Sequence, residues 1–230
     1  GAATTPFVGR EAEMASVLAA FDRCTEDATP VMVSVAGPPG IGKSRLSREF
    51  TNRVAVTHPE AKVVIVRGDA YGRAQSLGSA SDLLRALLGL SKDASLDEAR
   101  QAVSALSYVK DSGDLIARLL ANQPFPDGID PRGARDALYV SMTDLVLGRA
   151  ASMPCALVAE DAQWSDAESI AWLDHLLGRA TGRPLFLLMI VRPSFWREHP
   201  SRFTGRDHVR VELRPMARKA TREIARAVIG

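Results

Sequence analysis

The sequence of 230 residues predicts an α/β fold with a largely parallel β-sheet. Short apolar runs alternate along it with longer segments in which apolar residues recur at helical spacing. Glycine, proline and polar clusters separate the two kinds of segment, and no internal repeat is present. Strands that alternate with helices in this way are typical of parallel sheets.

Five segments are predicted to be strands. The first, VMVSVA, is short, rich in β-branched residues and bounded by turn signals, which indicates a buried central strand. The five predicted strands cover residues 31–36, 62–68, 155–161, 184–192 and 208–213.

Helices are predicted between these strands, and an all-helical insert is expected at about 76–133. Ser95 with Glu98, and Ser165 with Glu168, have the spacing of a helix N-terminal cap. Prolines and glycines predict an irregular loop over 122–133. The predicted helices cover residues 10–24, 43–56, 83–88, 96–106, 115–120, 134–151, 165–178 and 217–229.

Composition excludes several classes of protein. The longest apolar run, 185–191, is far shorter than the roughly 20 residues that span a bilayer. The first residues lack the basic and apolar regions of a signal peptide, so we predict a cytoplasmic protein with no membrane partner. Two cysteines, Cys24 and Cys155, cannot form a disulfide framework. A net charge of +2 gives no reason to predict nucleic-acid binding.

The loop after the first strand carries the clearest functional signal. Gly37, Gly42, Lys43 and Ser44 complete the pattern G-x-x-x-x-G-K-S between a predicted strand and a predicted helix. Glycine permits a backbone that wraps its amides around a polyphosphate. Lys43 would reach the β- and γ-phosphates, and the Ser44 hydroxyl would bind Mg²⁺. A glycine-rich turn with a chance lysine is the alternative, and the flanking strand and helix argue against it.

The third predicted strand ends in two acids, at the edge of the sheet where the phosphate loop is expected. By position, Glu160 is the better Mg²⁺ ligand, usually through water, and Asp161 is better placed to polarise an attacking water. The two roles can be exchanged on this reasoning. The alternative is that the acids cap the next helix at the surface.

Arg192 ends the fourth predicted strand at the same edge of the sheet. A guanidinium matches phosphate oxygens in two-pronged geometry, so Arg192 is predicted to contact the γ-phosphate and to distinguish ATP from ADP. The alternative is a solvated arginine at a strand end.

Four segments occur in a fixed order: FVGREAEM, GPPGIGKS, LVAEDAQWSD and LLMIVRP. Together they resemble the ATPase domain of the STAND class of P-loop NTPases, relatives of AAA+ proteins. The nearest resemblance is to the bacterial branch found in large LuxR-type activators, some protein kinases and cyclase-linked regulators. It implies a three-layer P-loop NTPase sandwich over 1–215, the beginning of a helical lid at 216–230, and a longer parent protein.

The resemblance also implies roles for individual residues. Glu160 and Asp161 match the two Walker B acids, although Glu160 stands where Asp is common, and Arg192 matches the sensor arginine. Trp164 and Asp166 match the continuation of the Walker B motif, with Trp164 expected in packing. Val8, Gly9 and Arg10 are implied to line the base pocket, supported by Phe7, and the alternative for Phe7 and Val8 is plain packing of an N-terminal arm. The implied nucleotide-binding residues are Val8, Gly9, Arg10, Gly37, Pro38, Pro39, Gly40, Ile41, Gly42, Lys43, Ser44 and Arg45.

We therefore predict a switch domain that binds ATP or ADP with Mg²⁺ and hydrolyses ATP slowly. Its expected partners are the rest of the lid, effector domains of the same chain and, with ATP bound, further copies of itself. The alternative is an oligomeric AAA+ remodelling or loading ATPase. A ring of that kind needs an arginine from a neighbouring subunit, for which Arg132, Arg135 and the arginines near the C-terminus are candidates.

Overall fold

The computed structural model describes residues 9–68, 76–106, 113–128 and 130–215. The strands are β1 (Val31–Ala36), β2 (Lys62–Arg67), β3 (Cys155–Glu160), β4 (Leu185–Val191) and β5 (His208–Glu212). The helices are α1 (Glu11–Glu26), α2 (Lys43–Thr57), α3 (Gly78–Leu88), α4 (Leu96–Ser104), α5 (Gly113–Leu120), α6 (Pro131–Ala150), α7 (Ala167–Arg179) and α8 (Phe195–Glu198).

The five strands form one sheet in the order β2-β3-β4-β1-β5, and all four neighbouring pairs are parallel. The α/β prediction is confirmed. Strands β1, β3 and β4 lie inside the sheet and are buried over nearly their whole length, whereas β2 and β5 are its edges. Because every strand runs in the same direction, the residues that follow each strand gather at one edge.

The sheet separates two apolar clusters, as alternation along a strand requires. On one face, Val33 and Phe186 pack with Phe21 of α1 and Phe50 of α2. The ring centroids of Phe21 and Phe50 are 5.7 Å apart in an edge-to-face contact. On the other face, Met32 of β1 packs with residues of α3 to α7. Helices therefore cover both faces of the sheet and make three layers.

Helix α3 begins at Gly78 rather than at 83, and α6 and α7 also begin elsewhere than predicted, while the capping box at Ser95 and Glu98 is confirmed. Helix α6 begins at Pro131, inside the predicted loop, because Asp130 caps it and a proline at the first position loses no intrahelical hydrogen bond. Helix α7 is capped by Asp166, whose side chain accepts from the N–H of Ser169. The prediction that Ser165 caps this helix was therefore wrong.

The short helix α8, between β4 and β5, was not predicted. The predicted helix 217–229, Phe7 and Val8 lie outside the described residues. Within the described parts of the chain, no helix combines the length and apolar character needed to cross a bilayer.

Candidate nucleotide-binding site

The loop between β1 and α2 uses its glycines for two different reasons. Gly40 and Gly42 have φ values of +76° and +103°, in the left-handed region that glycine favours. Gly37 is needed for space, because an added Cβ would lie 2.9 Å from Ile41 Cγ2 and 3.2 Å from the carbonyl oxygen of Leu213. The loop is therefore packed against the end of β5 as well as curved for ligand binding.

Lys43 begins α2, and its side chain is folded against the loop. Nζ donates to the carbonyl oxygen of Gly37 at 2.7 Å and to that of Pro38 at 2.8 Å. The residue is only 8% exposed, and this burial lowers the pKa of Lys43, an effect that Asp161 opposes and Arg192 reinforces. Of the three N–H donors of the ammonium, these contacts use two.

A cavity of about 400 Å³ opens beside this loop at the carboxyl edge of the sheet. It has the size of a small-molecule site. It brings together residues from the ends of β1, β2, β3 and β4, which the parallel topology places at one edge. The lining residues are Pro39, Gly40, Gly42, Lys43, Ser44, Arg45, Arg67, Asp161, Trp164 and Arg192.

Asp161 leaves β3 with a positive φ of 51°, which turns the chain sharply toward the cavity. Its Oδ2 accepts from Nε of Arg67 at 2.8 Å, and its Oδ1 accepts from Nε2 of Gln163 at 3.3 Å. The end of β2 closes against this turn, where an added Cβ on Gly68 would lie 2.6 Å from the carbonyl oxygen of Asp161. Gly68 therefore permits a close approach that fixes the turn.

Glu160 is the half-buried last residue of β3 and is not among the residues that line the cavity. Its predicted role as a metal ligand stays a prediction. Ser44 and Asp161 do line the same cavity, and hydroxyl and carboxylate oxygens are donors that suit Mg²⁺. In the described ranges, no group of three or more His, Cys, Asp or Glu side chains could hold a metal ion. A Mg²⁺ ion here would therefore need ligands from the nucleotide or from water.

Arg192 immediately follows β4 and lies beside the turn after β3. Its guanidinium carbon is 5.1 Å from the centroid of the Trp164 ring, and its backbone N–H donates to Oε1 of Gln163 at 3.2 Å. Trp164 thus lines the cavity and contacts the predicted sensor arginine, in addition to packing. The side chains of Asp161 and Arg192 are brought to one cavity, as their strand ends predicted.

The N-terminal segment is joined to the loop through Arg10, which is 5% exposed. Its Nη2 donates to the carbonyl oxygens of Arg214, at 2.6 Å, and Ile41, at 3.5 Å, while Nη1 donates to Glu13 at 2.8 Å. The backbone of Gly9, at a φ of +81°, precedes it. The guanidinium of Arg10 therefore holds protein groups together beside the loop, and its predicted contact with the base stays a prediction.

Sequence comparison decides the family. Residues 6–190 match the family model described as an AAA ATPase domain. The chain belongs to the AAA ATPase domain family. The matched segment contains the whole phosphate loop, the acids Glu160 and Asp161, and all but the last residue of β4. No curated protein matches the sequence of this AAA ATPase domain.

Solved structures of other proteins share the fold of this AAA ATPase domain. The Aeropyrum pernix ORC1 protein in complex with DNA matches at 15% identity and a TM-score of 0.61, over 97% of this chain and 50% of its own. The Aeropyrum pernix ORC2 protein, in ADPNP-ADP complexes, matches at 14% identity and 0.52, over 99% and 54%. Drosophila ORC bound to DNA matches at 16% identity and 0.50, over 100% and 48%. The chain spans about half the length of these proteins.

Sequence reasoning missed three residues of this site: Arg67, Gly68 and Gln163. The first two end a predicted strand, so the argument applied to Glu160 and Asp161 also places them at this edge. Gln163 carries no signal that one sequence reveals, because a glutamine in a short turn is common.

Proposed function

We propose that this AAA ATPase domain is the ATP-binding, slowly hydrolysing switch of a larger cytoplasmic signalling regulator of the STAND class. The observation that carries the proposal is that Lys43, Ser44, Asp161 and Arg192 line one and the same cavity. These residues come from three separate strand ends, and each has a chemical type that phosphoryl transfer uses.

The phosphate loop supplies the binding contacts. Its curved backbone and the first turn of α2 offer N–H donors to the phosphate oxygens of ATP, and Arg45 adds a positive charge. The Lys43 ammonium lies within this curve and has a donor beyond the two used by Gly37 and Pro38. Mg²⁺, held by Ser44 and an acid, would neutralise charge on the phosphate oxygens.

Asp161 is the residue that we assign to the attacking water. Each carboxylate oxygen has about two acceptor positions, and the contacts with Arg67 and Gln163 occupy one on each oxygen. The carboxylate can therefore be held in place and still accept a hydrogen bond from water. Arg192, whose guanidinium carbon lies 5.1 Å from the centroid of the Trp164 ring, would contact the γ-phosphate and be released when that phosphate leaves.

Arg10 supports a switch rather than a simple binding site. It bonds to Ile41 in the loop and to Arg214, one residue before the end of the described chain and next to the predicted lid at 216–230. A movement of the loop on ATP binding would therefore displace Arg10 and, through it, the segment that leads to the predicted lid. ATP drives such a change only as far as it binds one arrangement more tightly than the other.

The alternative function, an oligomeric ring, needs an arginine that reaches a neighbouring subunit, and the contacts of the candidate Arg135 support it less well. Nε of Arg135 pairs with Glu168 at 2.6 Å, and its guanidinium carbon lies 5.4 Å from the Tyr139 ring centroid. To act in a neighbouring subunit, Arg135 would have to leave both partners.

Turnover measured against protein concentration tests the proposal. We expect purified protein to bind ATP and Mg²⁺ and to hydrolyse it slowly, with a rate per molecule that does not change over a hundredfold range of concentration. The Asp161→Asn variant serves as the background control. A rate per molecule that rises steeply with concentration would favour the ring, and an absence of nucleotide binding would contradict both functions.

A further inference from the structure

Gln163 contacts two residues of the predicted site, Asp161 and Arg192, from a short turn that follows β3, Ala162–Trp164. Its residue exposure is 4%, and its amide contacts both neighbours. Nε2 donates to Oδ1 of Asp161 at 3.3 Å, and Oε1 accepts from the backbone N–H of Arg192 at 3.2 Å. We propose that Gln163 is a positioning residue for ATP hydrolysis, which holds the Asp161 carboxylate in register with Arg192; this inference rests on the proposed function.

The chemistry of the two partners fixes the orientation of the amide. A backbone N–H can only donate, and a carboxylate can only accept, so the amide oxygen must face Arg192 and the amide nitrogen must face Asp161. Flipping the amide by 180° would oppose like groups at both ends. The side chain can therefore make both hydrogen bonds in one orientation alone.

The contact with Gln163 completes the positioning of the Asp161 carboxylate. Arg67 holds Oδ2 from the end of β2, and Gln163 holds Oδ1 from the turn. One hydrogen bond would leave the carboxylate plane able to rotate about its terminal torsion, whereas bonds to both oxygens restrict it. A fixed plane is what a residue needs in order to accept a proton from water at one position.

The Gln163 amide links Asp161 to Arg192, the residue that follows β4. Strands β3 and β4 are adjacent in the sheet, so the link from Asp161 through Gln163 to Arg192 crosses a single strand spacing. The Trp164 ring, next in sequence, contacts the guanidinium of the same arginine. A displacement of the Arg192 backbone would therefore shift the Gln163 amide, which accepts from its N–H, and with it the Asp161 carboxylate.

Two substitutions at Gln163 separate positioning from space filling. Gln163→Glu keeps the size of the side chain and the oxygen that accepts from Arg192. It replaces the N–H donor that faces Asp161 with a second carboxylate oxygen. Gln163→Met keeps the approximate size and removes both hydrogen bonds. Gln123, an exposed residue beyond α5, provides the matched control Gln123→Met.

For each variant, the measurements are ATP affinity by calorimetry, turnover under single-turnover conditions and the melting temperature. We expect both Gln163 variants to lower the hydrolysis rate by about 10- to 100-fold, the range seen when hydrogen-bond partners that orient metal ligands are removed. The dissociation constant for ATP should stay within about twofold, because the loop and Lys43 are unchanged. Gln123→Met should behave like the parent.

Three results would overturn the inference. These are an unchanged hydrolysis rate in folded Gln163→Glu, a rate that falls only in proportion to lost ATP affinity, and an equal loss in Gln123→Met. If Gln163→Met does not fold, Gln163→Glu alone decides. If the parent protein binds ATP but does not hydrolyse it, the proposed function is contradicted. If the parent and the Gln163 variants hydrolyse ATP equally fast, only the role of Gln163 is contradicted.

Discussion

Arg67 at the end of β2 donates a hydrogen bond of 2.8 Å from Nε to Oδ2 of Asp161 in the turn after β3. The bond raises the pKa of Arg67, whose side chain is 66% exposed at the mouth of the cavity. With Gln163 on the other carboxylate oxygen, it orients Asp161 beside the phosphate loop. Asp161, rather than Glu160, is therefore the acid that the structure brings to the cavity.

Asp161→Asn should slow ATP hydrolysis while leaving ATP affinity close to that of the parent. The amide keeps the size of the side chain but is a poor proton acceptor, so we expect a loss of about 100-fold or more in turnover. Hydrolysis by single-turnover assay and ATP affinity by calorimetry check this. Equal hydrolysis by variant and parent would transfer the role to another residue, and Glu160→Gln is the comparison to make first.

Gly68→Ala should destabilise the protein and slow hydrolysis. The new Cβ would lie 2.6 Å from the carbonyl oxygen of Asp161, so the turn or the end of β2 has to move. We expect the free energy of unfolding to fall by about 1–3 kcal/mol, as for other overpacked sites. Gly113→Ala is the control in chemical denaturation, because its Cβ would lie 3.5 Å from its nearest neighbour. Equal stability of the two variants would refute the close approach.

Arg10→Ala should lower the free energy of unfolding by about 2 kcal/mol, because a buried guanidinium that bonds to Glu13, Ile41 and Arg214 is lost. ATP affinity should fall as well, since Ile41 belongs to the loop. The control is Arg23→Ala, which removes a half-exposed ion pair with Asp207 and should cost less than about 1 kcal/mol. If chemical denaturation shows the same decrease in the free energy of unfolding for Arg10→Ala and Arg23→Ala, Arg10 does not link the loop to the segment at Arg214.

His208 should make the protein less stable in mildly acidic solution. Burial, reinforced by Arg210 and opposed by Asp207, lowers the pKa of His208 to about 4, and Nε2 lies 2.8 Å from Ser34 Oγ. The unfolded chain has an ordinary pKa of about 6.5 and takes up the proton first as the pH falls. This contribution to stability is therefore present above pH 6.5 and is lost progressively as the pH falls toward 4.

Melting temperatures at pH 7.5 and pH 5 check the prediction for His208. The melting temperature of the parent should fall further between pH 7.5 and pH 5 than that of His208→Gln, which lacks the titrating group. The same loss in both proteins would show that other groups cause the acid sensitivity.

Much of the fold could be predicted from the sequence, because strand segments and phosphate-loop pattern are local properties. The strands were placed to within a residue or two, and the glycines at 40 and 42 have the positive φ values that a curved loop requires. The sequence does not specify a helix start where two capping residues compete. At α7, Asp166 caps the helix instead of Ser165, and it also accepts from the N–H groups of Leu77 and Ser79.

The detail of the site depends on contacts between distant residues, which sequence spacing does not specify. Arg67 and Asp161 are 94 residues apart, and Arg10 and Arg214 are 204 apart. The sheet order decides that β2 lies beside β3, and only then does the Arg67 guanidinium reach the acid. The Lys43 contact with loop carbonyls likewise depends on the curvature of the loop.

The central claim is that the loop and Lys43 form an ATP site. Calorimetric titration of ATP and Mg²⁺ into the parent, Lys43→Ala and the exposed control Lys92→Ala tests it most directly. We expect Lys43→Ala to weaken binding at least tenfold, since losing a charged hydrogen bond to phosphate costs about 1.5 kcal/mol or more. Lys92→Ala should match the parent. Equal ATP affinity in the parent and Lys43→Ala, or no binding by the parent, would contradict the claim.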